Sequence, residues 1–403
     1  MAEEYGGRIW QKNKRKEKLI MNSENGTSPE ESDERIYEFA LASIEGIGGK
    51  SAFSLVEYAG SAKEAFELPE KEITAVLGPK QTEAYKNRRD EEFYRRLWTK
   101  NTERGIKFVS FFDDKFPERL VNIPEPPFGL FYRGELPDGN KPAVAIVGAR
   151  QCSEYGRKAA RIFGRDLAEK GVNVISGLAF GVDCASQIGA LEGNGDTYAV
   201  MGCGPDICYP PDNVELYEEI IKQGGVISEY RPGTQPSPGL FPLRNRIISG
   251  LSDVVLVVEA RKRSGTYITV TQALGQGKEV FAVPGRITDS LSDGCNSLIK
   301  EGAGVALKAE DILEVLPNAI CGRECPHDEN EENVRPESEN GVIAAIDITP
   351  RSFEEIMEEL KRTGYETEQS EVYNSLVRLQ IEGRIENIGG MYRRTEPRIR
   401  YFR

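Results

Sequence analysis

The 403-residue sequence predicts an α/β core, with a helical segment before it and a small helix-and-hairpin segment after it. Three observations carry that prediction. Between residues 142 and 317, short apolar runs alternate with stretches of helical periodicity, the pattern of a parallel sheet covered on both faces. Residues 35–98 carry helical spacing interrupted by glycines and a Leu68-Pro69 turn. Residues 341–403 hold two helical patterns followed by a short strand pair.

Along the chain, residues 1–34 read as a flexible polar arm, with Lys12, Lys14, Arg15, Lys16 and Lys18 ahead of an acidic stretch at Glu30–Glu34. In residues 35–98, Leu41, Ile44, Gly46, Ile47, Gly48, Ala52 and Leu55 fit a helix-hairpin-helix spacing. Its turn, Gly48, Gly49 and Lys50, offers backbone amides at a helix start, where a nucleic-acid phosphate can sit. A tight helix hairpin needs glycines there in any case, so a purely structural or partner-binding turn stands beside that reading.

Residues 99–317 comprise a connector and the α/β domain. The connector, to about residue 140, is rich in proline and aromatic residues, among them Phe111, Phe112, Phe116, Pro117 and Tyr132, and reads as a packed crossing of a domain face. Strands are expected at Val144–Val147, Val172–Ile175, Thr197–Met201, Val226–Ile227, Val254–Val258 and Glu279–Val283. Helices are expected at Tyr155–Lys170, Asp183–Gly193, Val214–Gln223, Arg244–Leu251, Tyr267–Gly275 and Cys295–Glu301. Residues 318–340 read as an acidic linker, since 324–339 hold seven acids against one base. In 341–403, helices around Phe353–Leu360 and Val372–Leu379 precede strands at Arg384–Asn387 and Met391–Arg394, an order that suits a winged helix.

Composition narrows the function classes. With 52 Lys+Arg against 65 Asp+Glu, the formal charge is −13, which disfavours wholesale wrapping of duplex DNA and leaves room for a local cationic groove. No apolar run of about 18 residues appears, and the polar N-terminus lacks a signal-peptide core, so no membrane insertion and a cytoplasmic location are expected. Seven cysteines at irregular spacing do not make a disulfide scaffold. Cys321, Cys325 and His327 lack a matching second ligand pair, so no metal is expected. The single histidine, His327, lies in the linker, which argues against a Ser-His or Cys-His nucleophile in the core. Neither a full Walker sequence nor a dinucleotide fingerprint is present, so no cofactor is expected. Asp183, Glu229 and Glu259 can be read as an acid–base set, but such carboxylates more commonly cap helices or neutralise arginines. The balance favours a binding protein over an enzyme.

The binding residues should collect where strands of an open α/β sheet end. Gly148-Ala149-Arg150 follows the first strand, with Ser153 as a helix N-cap. There glycine permits close approach and arginine supplies a fork for phosphate oxygens. Ser176-Gly177-Leu178-Ala179-Phe180-Gly181-Val182-Asp183 follows the second, and its glycines and capping Asp183 are expected to expose backbone donors, with Phe180 read as core before base-stacking. Tyr209 lies on the third rim, as a pocket cap or a packed ring. Phe241 through Arg246 is the strongest signal: Arg244 and Arg246 leave a helix start in different directions, and Asn245 can read a base edge or hold a loop. An arginine–carboxylate network with Glu229 or Glu259 is the structural alternative. Arg261, Lys262, Arg263, Ser264, Gly265 and Thr266 form a further anion cradle.

From Phe111 to Ala309 these motifs together resemble the DprA/Smf family of DNA-processing proteins. The match runs through Val147-Gly148-Ala149-Arg150, the Ser176–Asp183 loop, Tyr209-Pro210-Pro211-Asp212-Asn213, Ser228-Glu229-Tyr230, Phe241–Arg246, Ser264-Gly265-Thr266 and Val283-Pro284-Gly285. The resemblance implies an extended Rossmann-like domain that binds single-stranded DNA without sequence preference, commonly as a homodimer, and loads RecA recombinase during DNA processing or natural transformation. It also suits an N-terminal helix-hairpin-helix or SAM-like domain and a C-terminal winged helix. It assigns the nucleotide pocket to Gly148, Arg150, Ser176, Gly177, Phe241, Arg244, Asn245, Arg263, Ser264, Gly265 and Thr266. Gly48, Gly49, Lys50, Arg393 and Arg394 are accessory candidates. Arg263 stands where relatives commonly have lysine, and Phe180 where they commonly have a base. Two other functions remain open: a nucleoside-monophosphate phosphoribohydrolase, which the missing Pro-Gly-Gly-x-Gly-Thr run disfavours, and a structural or partner-binding protein with no active nucleotide pocket.

Overall fold

The computed structural model describes residues 29–86, 89–262, 264–316, 342–343, 345–346, 350–363, 369–381, 384–388 and 390–394. The basic arm, the acidic linker with Cys321, Cys325 and His327, Arg263, and the terminal Arg398, Arg400 and Arg403 lie outside the described residues. The chain forms two compact units, 1–321 and 322–403.

Among the described residues, six helices precede the first strand of the first unit: α1 (Pro29–Ser43), α2 (Gly49–Ala59), α3 (Ala62–Glu67), α4 (Glu70–Leu77), α5 (Pro79–Lys86) and α6 (Glu91–Glu103). Local sequence sets their ends. Ser61 and Asp90 cap α3 and α6 by accepting the amides of Glu64 and Phe93. Strands β1 (Lys107–Ser110) and β2 (Gly129–Gly134) follow, with α7 (Glu118–Val121) between them. Then come β3 (Ala143–Val147), α8 (Glu154–Glu169), β4 (Asn173–Ser176), α9 (Val182–Glu192), β5 (Thr197–Val200), α10 (Val214–Lys222) and β6 (Gly224–Ser228). The unit continues through α11 (Leu240–Leu251), β7 (Val254–Val257), α12 (Thr266–Gly275), β8 (Glu279–Ala282), α13 (Asp293–Lys300), β9 (Gly304–Val305) and α14 (Ala309–Leu313).

The nine strands form one sheet in the order β1-β2-β6-β5-β4-β3-β7-β8-β9. From β6 to β9 all neighbours are parallel, whereas β2 runs antiparallel to β6 and β1 to β2. The strands between residues 142 and 317 thus pair in parallel as expected, and the sheet is mixed only because two further strands join it. The two antiparallel strands come from the segment read as a connector. Pro117, Pro124, Pro126 and Pro127 fall between the strands, around α7, while Phe108, Val109 and Leu130–Tyr132 are the aromatic and branched residues that favour a pleated, buried surface. Helix α11 starts at Leu240, one turn earlier than expected, because Pro242 is tolerated in a first turn, where its missing N–H has no helical partner.

Burial on both faces follows the strand period. Ala143, Ala145 and Val147 of β3 join a core with Phe39, Leu41 and Phe53 of the N-terminal helices. Val144 and Ile146 point the other way, into a core with Phe163 and Leu167 of α8. After β6 the chain returns to the opposite side of β3 to form β7, so the topological switch lies between β3 and β7.

The second unit contains α15 (Phe353–Arg362), α16 (Gln369–Ile381) and a hairpin of β10 (Ile385–Ile388) and β11 (Met391–Arg394). Ser352 and Glu355 close a capping box at the start of α15. Ile356, Leu360, Val372, Leu376, Leu379, Ile385 and Tyr392 make its core.

Candidate nucleic-acid interface

Parallel pairing brings the carboxyl ends of β3, β4, β5 and β7 to one sheet edge, where four loops meet. Close backbone approach explains the glycines. A side chain at Gly148 would stand 2.7 Å from Val182 Cγ2, and one at Gly181, whose φ is +80°, would run into the Ala149 carbonyl. The loops after β3 and β4 are thus pressed together. Leu178, between them and α9, holds a left-handed φ of 55° without being glycine, a conformation that survives only where its surroundings fix it. Its carbonyl accepts Asn213 Nδ2 at 2.8 Å.

Main-chain donors in both loops are taken by the protein's own carboxylates. Ser153 caps α8 by accepting the Gly156 amide at 3.1 Å. The buried Glu259, just past β7, accepts the Ser153 amide at 2.8 Å and its hydroxyl at 2.5 Å. In the β4 loop, Asp183 Oδ2 accepts the amides of Gly177 and Ala179 at 3.1 and 3.4 Å. Those donors are therefore engaged, which corrects the expectation that they stand exposed. The Ser176 hydroxyl likewise donates to the Ile146 carbonyl at 2.7 Å.

Side chains are what the cleft leaves free. Arg150 is exposed, and its guanidinium carbon lies 5.5 Å from the centre of the Phe241 ring. Arg244 lies 6.0 Å from the same ring. Tyr209 stacks on Phe241 at 5.4 Å with the planes 28° apart, and a side chain at Gly202 would strike the Phe241 ring. Tyr209 is 39% exposed and Phe180 45% exposed, so Phe180 faces solvent, not the core. Periodicity could not separate these two rings from core aromatics, because each sits in a loop.

Arg244 is placed differently from Arg150. It is only 4% exposed and donates to the carbonyls of Gly177, at 3.1 Å, and Val200, while its Nε donates to Asn245 Oδ1 at 3.2 Å. It therefore anchors the loops from below. Burial pushes the Asp183 carboxyl up to about 6, against the opposing pull of Arg244 and of the Ala179 and Gly177 amides. Burial also lowers the Arg244 guanidinium to about 10, against the pull of Asp183. Arg246 takes the alternative read for this motif, a two-pronged ion pair with Glu229 at 2.7 and 2.8 Å.

Ser264, Gly265 and Thr266 lie at the start of α12, beyond β7 on the same edge, beside exposed Arg261 and Lys262. Among the described residues they share no hydrogen bond or ring contact with Arg150 or Phe241. Gly48, Gly49 and Lys50 line a separate cavity of about 730 Å³ with Glu229, Leu243 and Arg246. A side chain at Gly49 would stand 3.3 Å from Glu229 Oε1, so an anion already occupies the neighbourhood of the α2 start. In the second unit, Arg393 pairs with Glu386, and Arg394 donates to the Ile343 carbonyl at 2.9 Å.

The family model for DNA recombination-mediator protein A matches residues 107–317, which include every loop of this cleft. The chain belongs to the DNA recombination-mediator protein A family. It is 46% identical to the DNA processing protein DprA of Streptococcus pneumoniae over 51% of this chain and 74% of that protein. It is 34% identical to Protein Smf of Synechocystis over 70% of this chain and 73% of that one. The X-ray structure of the Streptococcus pneumoniae DprA superposes with a TM-score of 0.61 at 35% identity, covering 70% of this chain and 98% of that chain. Membership in the DNA recombination-mediator protein A family agrees with the DprA/Smf resemblance of the sequence motifs, and the superposition agrees with a Rossmann-like α/β fold. Among the described residues no helix is long and apolar enough to cross a membrane.

Proposed function

We propose that the chain binds single-stranded DNA, without sequence preference, in the cleft at the ends of β3, β4 and β5, and as a homodimer hands the strand to RecA recombinase in DNA processing or natural transformation. One observation carries the DNA reading: the exposed Arg150 and the exposed Tyr209 flank the same Phe241 ring. A cation beside an aromatic stack suits a strand with unpaired bases, because phosphate meets the guanidinium while a base stacks on a ring. Gly148, Gly177, Arg244 and Asn245 shape that platform from beneath, and Ser264, Gly265 and Thr266, with Arg263 next to them in sequence, are the proposed extension of the binding surface. Dimerisation and delivery to RecA rest on membership of a recombination-mediator family.

A binder with no covalent step and no cofactor, acting in the cytoplasm, is the accompanying proposal. It is supported by the separate commitments of the three candidate carboxylates: Asp183 to loop amides, Glu229 to Arg246 and Glu259 to Ser153. We read α1–α6 as a helix-hairpin-helix or SAM-like domain that docks on the sheet, and the second unit as a winged helix with an accessory role. Fluorescence anisotropy with a labelled oligonucleotide tests binding, with Phe241→Ala expected to weaken it. Filament assembly by RecA on a strand precoated with single-strand-binding protein tests delivery, and assembly no faster with the protein than without it would remove the loading role.

A further inference from the structure

Building on the single-strand reading, we infer that a strand held in the cleft leaves it over the rims of β7 and β8, where Arg286 and Tyr155 form a second phosphate-and-base site. Charge along the carboxyl edge of the sheet decides the direction. On the β7 and β8 side, Arg261, Lys262 and Arg286 are exposed, and none of them has a carboxylate partner among the described residues. On the β5 and β6 side the cations are taken: Arg104 is bound to Asp206 at 3.0 Å and Arg231 to Glu45 at 3.0 Å. That side also presents Asp212 and, in the first turn of α10, Glu215, both exposed. A phosphate chain is thus drawn toward β8 and repelled beyond β5.

The β8 rim holds such contacts in place. The Val283-Pro284-Gly285 motif, which the cleft does not use, runs directly into Arg286. Asn296 fixes this turn from its side chain, accepting the Gly285 amide at 3.2 Å and donating to the Gly285 carbonyl at 3.1 Å. The loop that follows is tied to the β7 rim, since the Ala260 amide donates to the Leu291 carbonyl at 2.9 Å and the Gly294 amide to the Ala260 carbonyl at 2.7 Å. Its one acid, Asp289, already accepts the Leu291 amide at 3.0 Å. Tyr155, in the first turn of α8, donates its hydroxyl to the Pro284 carbonyl at 3.0 Å, yet the residue is 52% exposed. One end of the ring is therefore anchored beside the motif while the ring itself stays open to a base. Strand β8 lies two strand spacings from β3, about 10 Å, so a stacked strand at about 3.4 Å per nucleotide passes from the Arg150 rim to the Arg286 rim in about three nucleotides.

Anisotropy with the full-length chain and a labelled oligothymidine long enough to cross both rims tests the route. Arg286→Ala weakens binding about tenfold and makes the slope of log affinity against log salt shallower by about 0.7, while Arg286→Lys, which keeps the charge, restores both. Tyr155→Ala weakens binding about fivefold and leaves the slope alone, and Tyr155→Phe, which keeps the ring and loses only the bond to Pro284, binds as the wild type does. Asp212→Arg, which adds a cation on the opposite side, leaves the slope where it was. A steeper slope in Asp212→Arg with Arg286→Ala silent sends the strand over β5 and overturns the route. A loss in Tyr155→Phe equal to that in Tyr155→Ala overturns the base site, because the hydroxyl then acts only on the loop. Binding that Phe241→Ala weakens and Arg286→Ala does not defeats the route alone, whereas a wild-type chain that leaves the oligothymidine unbound defeats the single-strand reading together with it.

Discussion

At the residue scale the two arginines beside Phe241 divide one task. Arg150 is exposed and free to meet a phosphate, whereas Arg244 is consumed by carbonyls of the β4 and β5 ends. Arg150→Ala should therefore weaken single-strand binding about 10- to 100-fold, the range for a lost charge-assisted contact, while the melting temperature stays put. Arg244→Ala should lower the melting temperature as well, since it leaves buried carbonyls without donors; calorimetry beside anisotropy separates the two. Asp183 adds a pH dependence. Its folded pKa, about 6, lies above the ordinary carboxylate value, so the protonated form is favoured by folding. Its contribution to stability accordingly grows as pH falls from about 6 toward about 4 and fades as pH rises through that window. Protonation also removes the negative charge beside Arg244 and Arg150. Single-strand affinity should then rise between pH 7 and about 5.5 in the wild type and be flat in Asp183→Asn. A titration showing the same pH slope in both proteins would exclude Asp183 as the titrating group.

At the element scale, α11 separates two cavities, with Phe241 and Arg244 facing the cleft and Leu243 and Arg246 facing the helical hairpin. The Arg246–Glu229 pair is mostly buried, so Glu229→Gln leaves a guanidinium short of its counter-charge. A loss of about 2–3 kcal/mol in denaturant unfolding is expected, below the full cost of a completely buried pair. Elements with a clear period were legible: β3, β4, β5, β7 and β8 fall within a residue or two of the expected strands, because each is a four- or five-residue apolar run between glycine turns. Strands β1 and β2 were hidden by the prolines between them, and strand order depends on long-range pairing that no local pattern encodes. Within the cleft, the glycines and arginines were visible as unusual loop residues. Of the carboxylates that fill the amide cradles, Asp183 was legible as a capping acid of its own loop, whereas Glu259 was visible only as an isolated acid, since it reaches Ser153 across 106 positions.

At the scale of the whole molecule, the question is how a chain of net charge −13 would hold the single strand proposed as its ligand. Long-range attraction cannot do it, and a protein with this charge should not coat DNA. Attraction must come from a few cations in one groove, with stacking supplying the rest. Such a division has a measurable signature in salt. If Arg150, Arg261 and Lys262 are the cations that meet phosphates, the slope of log affinity against log salt for a single strand should be about −2, since each contact contributes about −0.7. Arg150→Ala should make that slope shallower by about 0.7, whereas Phe241→Ala should weaken binding by about 1–3 kcal/mol and leave the slope alone. A duplex of the same length should bind more weakly at every salt concentration, because its bases are already stacked on one another and the Tyr209–Phe241 surface has nothing to receive. Equal affinity for duplex and single strand, or a slope steep enough to require many phosphates, would show that another surface carries the binding.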